Sequence, residues 1–356
     1  MKPILMLSIV WSTLLFSRGY NVLEPGDPDL SQEKKDSKLF KTILNKNVNE
    51  KPFPLKNPQT TFERGVLKAG TRVCLVGDTG NGSKRAKLIS DLMQRECDQI
   101  RLLGDIVYYV GVKDRKDPLL ESRFLNIYKD LTVPMYIVLG NHDYGQNPDI
   151  YLDIAKEFPQ KYIFPNNYYM EIFSKPPNKG MCFITLDTTP IADVNPIVGF
   201  KAPRVGSQMQ WLDSINNLIK NRCSFTFSFT HHPFINVSKG RDEKVPEMIR
   251  NELYEKRLLK YVNMVVAGHD HFLGYHSKLP KTGLPGQFHN IPQILSGTGG
   301  MLALDKEMET SPYSKAFKES GFVQMTLLQN SDNPKFAARF RYINHLGKQL
   351  LDFNYP

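Results

Sequence analysis

A chain of 356 residues, 41% hydrophobic and 23% charged, has the composition of a folded protein with a sizeable core, which excludes a wholly disordered or low-complexity chain. The net charge of +10 comes from Lys and Arg scattered along the chain, without runs interleaved with aromatics, so no nucleic acid partner is expected and the surplus reads as a basic solvated surface. Four cysteines without a CxxC pair exclude a zinc ribbon.

The chain opens with Lys2, an apolar run from Ile4 to Phe16, then Ser17, Arg18 and Gly19, so residues 1–19 have the proportions of a signal peptide. The run is short and interrupted by Ser8, Trp11 and Ser12; no membrane span is expected beyond the anchor that an uncleaved signal would make. Export to a secreted, periplasmic or secretory/endolysosomal location follows from that reading. A disulfide could form there, but Cys74 and Cys182 lie in apolar stretches where a small buried hydrophobe serves equally well, and the pairing stays open. Residues 20–70 are rich in Lys, Asn, Asp and Pro, with Pro25, Pro28, Pro52, Pro54 and Pro58 as breaks, and read as a polar extension or linker. A single folded domain is expected over 71–356.

Within it, short runs rich in β-branched and aromatic residues predict buried strands at Arg72 to Val76, Gln99 to Leu103, Met135 to Leu139, Ser224 to Thr230 and Tyr261 to Ala267. Apolar residues at helical spacing predict helices over Lys84 to Cys97 and Gln208 to Lys220. Strands alternating with helices imply a largely parallel region. Three more strands, Gly321 to Gln329, Phe336 to Ile343 and Gln349 to Asn354, separated by turn-rich NSDNPK and NHLGK, predict an antiparallel meander closing a second sheet. The expected class is α/β, with two packed mixed β-sheets flanked by helices.

Each of the first five strands ends in a polar cluster: GDTG at 77–80, GDIVY at 104–108, GNHD at 140–143, HHP at 231–233 and GHDH at 268–271. Ligand sites in folds with parallel strands gather beyond the carboxyl ends of those strands, so the clusters should meet. Any one of the residues alone would be unremarked: Asp78 and Asp105 as caps, Tyr108 as core, GNHDYG as a turn. Together they make a ligand inventory. Sorted by hardness, Asp78, Asp105, Tyr108 and His271 suit a highly charged ion such as Fe(III), whereas Asn141, His231 and His269, with Asp105 as a bridge, suit a softer divalent one. Two metals about 3.5 to 4 Å apart are the arrangement that clamps attacking and leaving oxygens in phosphoryl transfer to water.

In this order the clusters resemble those of the calcineurin-like metallophosphoesterases, and more narrowly the purple acid phosphatases of the small single-chain, tartrate-resistant type. The first cluster of the wider superfamily is usually DxH. Here Gly80 stands where that His would be, and Tyr108, three residues after Asp105, takes its place; YVGV at 109–112, LDT at 186–188, SGTGG at 296–300 and the terminal meander add to the likeness. The resemblance implies an α/β/β/α sandwich and an acid phosphatase that hydrolyses small phosphomonoesters at a binuclear centre of Fe(III) and a second divalent metal (Fe, Zn or Mn), with a metal-bound hydroxide as nucleophile. It assigns proton donation to His142, with Asp143 orienting its ring, and substrate contacts to Asn141, His142 and His232. The family often has another outer His nine residues beyond His231, where this chain has Gly240; His232 is the candidate substitute, although neighbouring side chains on a strand face opposite ways. The alternatives are a phosphodiesterase or nucleotidase with two divalent metals, and a non-catalytic scaffold derivative; the full ligand set speaks for an enzyme. His276, His289 and His345 are read as ordinary surface or core residues. Of the sequons at Asn81 and Asn236, the first sits too near the clusters to be modified.

Overall fold

The computed structural model describes residues 59–192, 203–239, 249–302, 307–308 and 311–356. The expected signal peptide and nearly all of the polar extension lie outside them. Among the described residues no helix is long and apolar enough to cross a membrane.

The strands in chain order are β1 (Thr61–Arg64), β2 (Arg72–Val76), β3 (Gln99–Leu103), β4 (Met135–Val138), β5 (Tyr162–Ile163), β6 (Tyr169–Phe173), β7 (Gly180–Thr185) and β8 (Cys223–Phe229). They continue with β9 (Met264–Ala267), β10 (Leu273–His276), β11 (Leu279–Pro280), β12 (Phe288–His289), β13 (Gln293–Ser296), β14 (Ser314–Phe317), β15 (Gly321–Leu327), β16 (Ala338–Asn344) and β17 (Gln349–Tyr355). One sheet has the order β1-β6-β7-β8-β9-β13-β10-β14 and the other β17-β16-β15-β2-β3-β4-β5, with β11 and β12 as a separate hairpin. Both large sheets are mixed: β2, β3, β4 and β5 run parallel, whereas β15, β16 and β17 are antiparallel.

Strand periodicity builds the layers. Along β2, Val73 and Leu75 face the core between the sheets, where they join Phe183, Phe227, Phe229, Met264 and Val266, while Cys74 and Val76 face outward against Ala86, Ile89 and Met93 of the Lys84–Glu96 helix. On the outer face of the other sheet, Met170, Ile172 and Ile184 pack with Met209, Leu212, Ile215 and Leu253. The result is the expected α/β/β/α sandwich.

Three details differ from the sequence reading. The terminal meander does not build the second sheet: β15 pairs with β2, so the meander extends the sheet that carries the first three clusters. The Gln208 to Lys220 helix is two, Pro203–Ser214 and Asn216–Arg222, and Ser214 Oγ donates to the Trp211 carbonyl at 2.7 Å, a back-bond that bends helices. Regular structure also begins before Thr71, because β1 pairs in parallel with β6 at the edge of the eight-stranded sheet.

The cysteines form two disulfides, Cys74–Cys97 and Cys182–Cys223, leaving none free. The first ties β2 to the end of the Lys84–Glu96 helix and the second ties β7 to the start of β8. By chain entropy, loops of 23 and 41 residues correspond to about 3.5 and 4 kcal/mol. Both bonds therefore staple strands whose far ends carry polar clusters.

Candidate metal centre

The carboxyl ends of β2, β3 and β4 in one sheet and of β8 and β9 in the other bring all seven expected ligand residues together. The chain must turn sharply at each end, and three of these residues, Asp78 (φ 58°), Asp105 (φ 53°) and His269 (φ 68°), adopt the left-handed conformation. For a residue with a Cβ this costs about 1–2 kcal/mol, and such strain concentrates at functional sites.

Two groups of donors share one carboxylate. In the first, Tyr108 Oη lies 2.9 Å from Asp78 Oδ1, 2.8 Å from Asp105 Oδ2 and 3.1 Å from His271 Nε2. In the second, Asn141 Oδ1 lies 3.0 Å from both His231 Nε2 and His269 Nδ1, and Asp105 Oδ1 is 3.4 Å from His231 Nε2. Asp105 thus offers one oxygen to each group. The remaining acceptor positions are braced by backbone: His269 N–H donates to Asp78 Oδ2 at 2.8 Å and His142 N–H to Asp105 Oδ1 at 2.9 Å.

The donor chemistry fits metal ions. Asp78, Asp105, Tyr108 and His231 are at most 1% exposed, a depth at which uncompensated carboxylates are costly. His231 Nδ1 lies 2.7 Å from the Leu103 carbonyl, which can only accept, so this nitrogen carries a proton and Nε2 turns a lone pair towards the oxygens of Asn141 and Asp105. Lone pairs facing one another require a cation. In the protein alone a proton serves: burial pushes His231 down, but the charge of Asp105 more than offsets it and the imidazole is pushed up to about 9. Asp105 is held well below the usual carboxylate range because the His231 and His142 charges outweigh its burial. Burial, followed by the Asp105 and Asp78 charges, pushes the Tyr108 phenol well above 10, so only a strongly charged cation would take it as phenolate.

Gly80 shows why no histidine stands there. A Cβ at this position would meet the Ile106 carbonyl oxygen at 2.2 Å and Val107 Cα at 2.5 Å. The segment leading to Tyr108 lies directly on Gly80, bonded through Gly80 N–H to Asp105 O at 3.2 Å and Tyr108 N–H to Gly80 O at 2.9 Å. Removing the side chain at 80 and supplying the phenol at 108 are one backbone arrangement.

Around the ligands the geometry redistributes the expected roles. His142 Nδ1 donates to the Tyr109 carbonyl at 2.5 Å, leaving Nε2 on the side of Asp105, 3.9 Å from its Oδ2. Asp143, expected to orient that ring, instead accepts Ile106 N–H (2.9 Å), Val107 N–H (3.3 Å), Gly140 N–H (2.8 Å) and the Tyr151 hydroxyl (2.8 Å). It braces the second and third clusters against each other, and burial followed by the Asp105 charge pushes it up to about 7. His232 turns towards the site rather than away, since β8 ends at Phe229 and the strand rule no longer governs residue 232; its ring lies 4.4 Å from that of His269. Asp270 was missed by the sequence reading. Between two of the expected histidine ligands, it accepts Val237 N–H (2.6 Å), Ser238 N–H (2.9 Å) and the Ser238 hydroxyl (2.5 Å), and an acid flanked by two expected ligands was the available signal. Asn81 donates to the Gly300 carbonyl and is buried, which occupies the first sequon with a structural bond. Away from the site, His289 pairs with Glu255 and His276 is buried in β10.

The chain is similar to several known proteins. Tartrate-resistant acid phosphatase type 5 of Homo sapiens is 25% identical over 58% of this chain and 62% of its own length. Purple acid phosphatase 4 of Arabidopsis thaliana is 25% identical over 49% and 52%. The chain thus spans about half to three fifths of the length of these relatives. Among solved structures, GAP50, described as the anchor in the inner membrane complex of Plasmodium, superposes with a TM-score of 0.62 at 18% identity, covering 80% of this chain and 88% of that one, a likeness of fold. Residues 71–273 match the calcineurin-like phosphoesterase family, so the chain belongs to the calcineurin-like phosphoesterases.

Proposed function

We propose that the protein is an acid phosphatase of the purple type that hydrolyses phosphomonoesters at a binuclear centre. One observation carries this reading: the Tyr108 hydroxyl stands 2.8–3.1 Å from donor atoms of Asp78, Asp105 and His271, beside a second group built on Asn141, His231 and His269. Asp78, Asp105, Tyr108 and His271 would hold Fe(III), and Asn141, His231 and His269, sharing Asp105, would hold Fe, Zn or Mn as a divalent ion. When bound, the two ions lower the pKa of water and neutralise phosphate charge.

The chain's own contribution is proton transfer and positioning. Fixed through Nδ1 to the Tyr109 carbonyl, His142 presents Nε2 to the site, where it would protonate the leaving alkoxide. Burial pushes this imidazole down, so Nε2 carries a proton to give only at acid pH and then releases it readily. Transfer of this kind is worth about 10² to 10⁴ in rate. Asn141 and His142 would contact the substrate phosphate, and the signal-like residues 1–19 suit export. GAP50, described as an anchor, supports a second reading as an interaction protein; the complete ligand set favours the enzyme.

The test is a visible spectrum with metal analysis and an aryl phosphate assay at acid pH. A tyrosinate-to-iron band that disappears in Tyr108→Phe, with two metals per chain, is expected. A colourless, iron-free active protein would overturn the purple assignment in favour of a diesterase or nucleotidase with two divalent ions, and a metal-free inactive one would favour the interaction protein.

A further inference from the structure

We propose that His232 is a third imidazole ligand at the second metal position, making that position nitrogen-rich and selective for zinc over manganese. This rests on the two-metal reading above and adds a ligand to it.

His231, His232 and His269 each offer a ring nitrogen, and these nitrogens lie within 4.8 Å of one another. The His232 ring sits 5.0 Å from that of His231 and 4.4 Å from that of His269, and Asn141 Oδ1 lies 3.0 Å from a nitrogen of each of those two rings. Sequence neighbours share one site because β8 has ended and the chain bends after Thr230.

The ring is supported as a ligand would be. Thr188 Oγ1 lies 2.9 Å from His232 Nδ1 and accepts the His232 backbone N–H at 3.1 Å, so residue 232 is held at two points by one hydroxyl. The hydroxyl anchors the ring through Nδ1, so Nε2 is the nitrogen that would reach the metal. Metal-bound histidines almost always use their other nitrogen in this way. His231 is likewise anchored through Nδ1, by the Leu103 carbonyl.

Burial argues against a substrate contact for His232 and does not by itself mark a ligand, since the His271 side chain is 15% exposed. His232 is 2% exposed, close to the 0% of His231, whereas the His142 side chain is 22% exposed. A group that grips an incoming phosphate must be reached from solvent, and His142 meets that demand far better. Three imidazoles with one carboxylate and one amide oxygen suit zinc, whereas manganese prefers carboxylate, carbonyl and water oxygens.

The test is X-ray absorption at the zinc edge of full-length protein carrying iron at the first position and zinc at the second, with zinc affinity measured by competition against a chromophoric chelator. Three imidazoles per zinc are expected in the wild type and two in His232→Gln, with zinc affinity lower by about tenfold or more and the iron band unchanged. Two imidazoles in the wild type, or unaltered zinc affinity in His232→Gln, would overturn the proposal. His231→Gln serves as the separate control: it should weaken zinc binding at the second position, its retention there at full affinity would remove His231 from the ligand set, and fewer than two metals per chain in the wild type would bring down the two-metal reading itself. The wild-type count stands even if a variant fails to fold.

Discussion

Replacing Glu171 by Gln should destabilise the sandwich more than most single substitutions. Arg101 of β3 and Glu171 of β6 meet between the two sheets, at 1% and 0% side-chain exposure. The guanidinium also bonds Gln99 at 3.1 Å and lies over the rings of Tyr136, Phe183 and Phe229 at 3.6, 4.6 and 5.4 Å. Glu171→Gln keeps the shape and removes the charge, leaving a buried cation whose rings and amide only partly compensate it. Breaking such a pair from one side costs about 3–5 kcal/mol, against a total stability of about 5–15 kcal/mol. Arg64, the second partner of Glu171, is 32% exposed and can be solvated, so its loss adds little. Urea unfolding monitored by circular dichroism gives the cost directly. The double variant Arg101→Met, Glu171→Leu should recover most of it, because a buried ion pair replaced by apolar groups is often neutral or better. A loss below about 1 kcal/mol in Glu171→Gln, or no recovery in the double variant, would refute this account.

Other outcomes follow from the site and the core. His142→Ala should keep both metals and the visible band but lose about 10² to 10⁴ in turnover, more severely on alkyl than on activated aryl phosphates; equal activity on both sinks the proton-donor role. Gly80→Ala should lose the band and about 1–3 kcal/mol of stability, as the new Cβ overpacks against Ile106 at 2.2 Å; an unchanged spectrum would show that the backbone yields without moving Tyr108. His276 is pushed down to about 4 by burial, only partly countered by Asp270. The unfolded chain therefore takes up this proton first, so stability is intact above about pH 6.5 and falls as pH drops towards 4, by about 2–3 kcal/mol. His276→Gln should flatten that part of the profile in denaturant titrations at pH 7, 5.5 and 4.5, and parallel profiles would rule it out.

The clusters were legible because each closes an apolar run, and strand ends in such folds face one crevice. The strands and the Lys84–Glu96 helix were legible from period alone. The sheet joined by the meander was not: β15 pairs with β2 across some 250 residues of chain, and nothing in either strand's own sequence names its partner. Arg101 was hidden for a similar reason, since a charge inside QIRLL gives no hint that Glu171 waits on the other sheet. The roles of Asp143 and Tyr109 depend on which loop atoms face the His142 ring, and a backbone carbonyl leaves no trace in residue type. Strand alternation, which would turn His232 away, stops at Phe229 where the strand ends.

The contact between Gly80 and Ile106 also bears on how such a chain can change over time. A histidine does not fit position 80 by one substitution, since its side chain would need residues 106–108 to retreat and would carry Tyr108 away from Asp78, Asp105 and His271. Giving up the tyrosine first would leave the proposed centre a ligand short. Any route between the two ligand sets crosses an intermediate with an incomplete site or a displaced loop, so the swap acts as a ratchet, and drift is freer to alter the outer residues than to undo it.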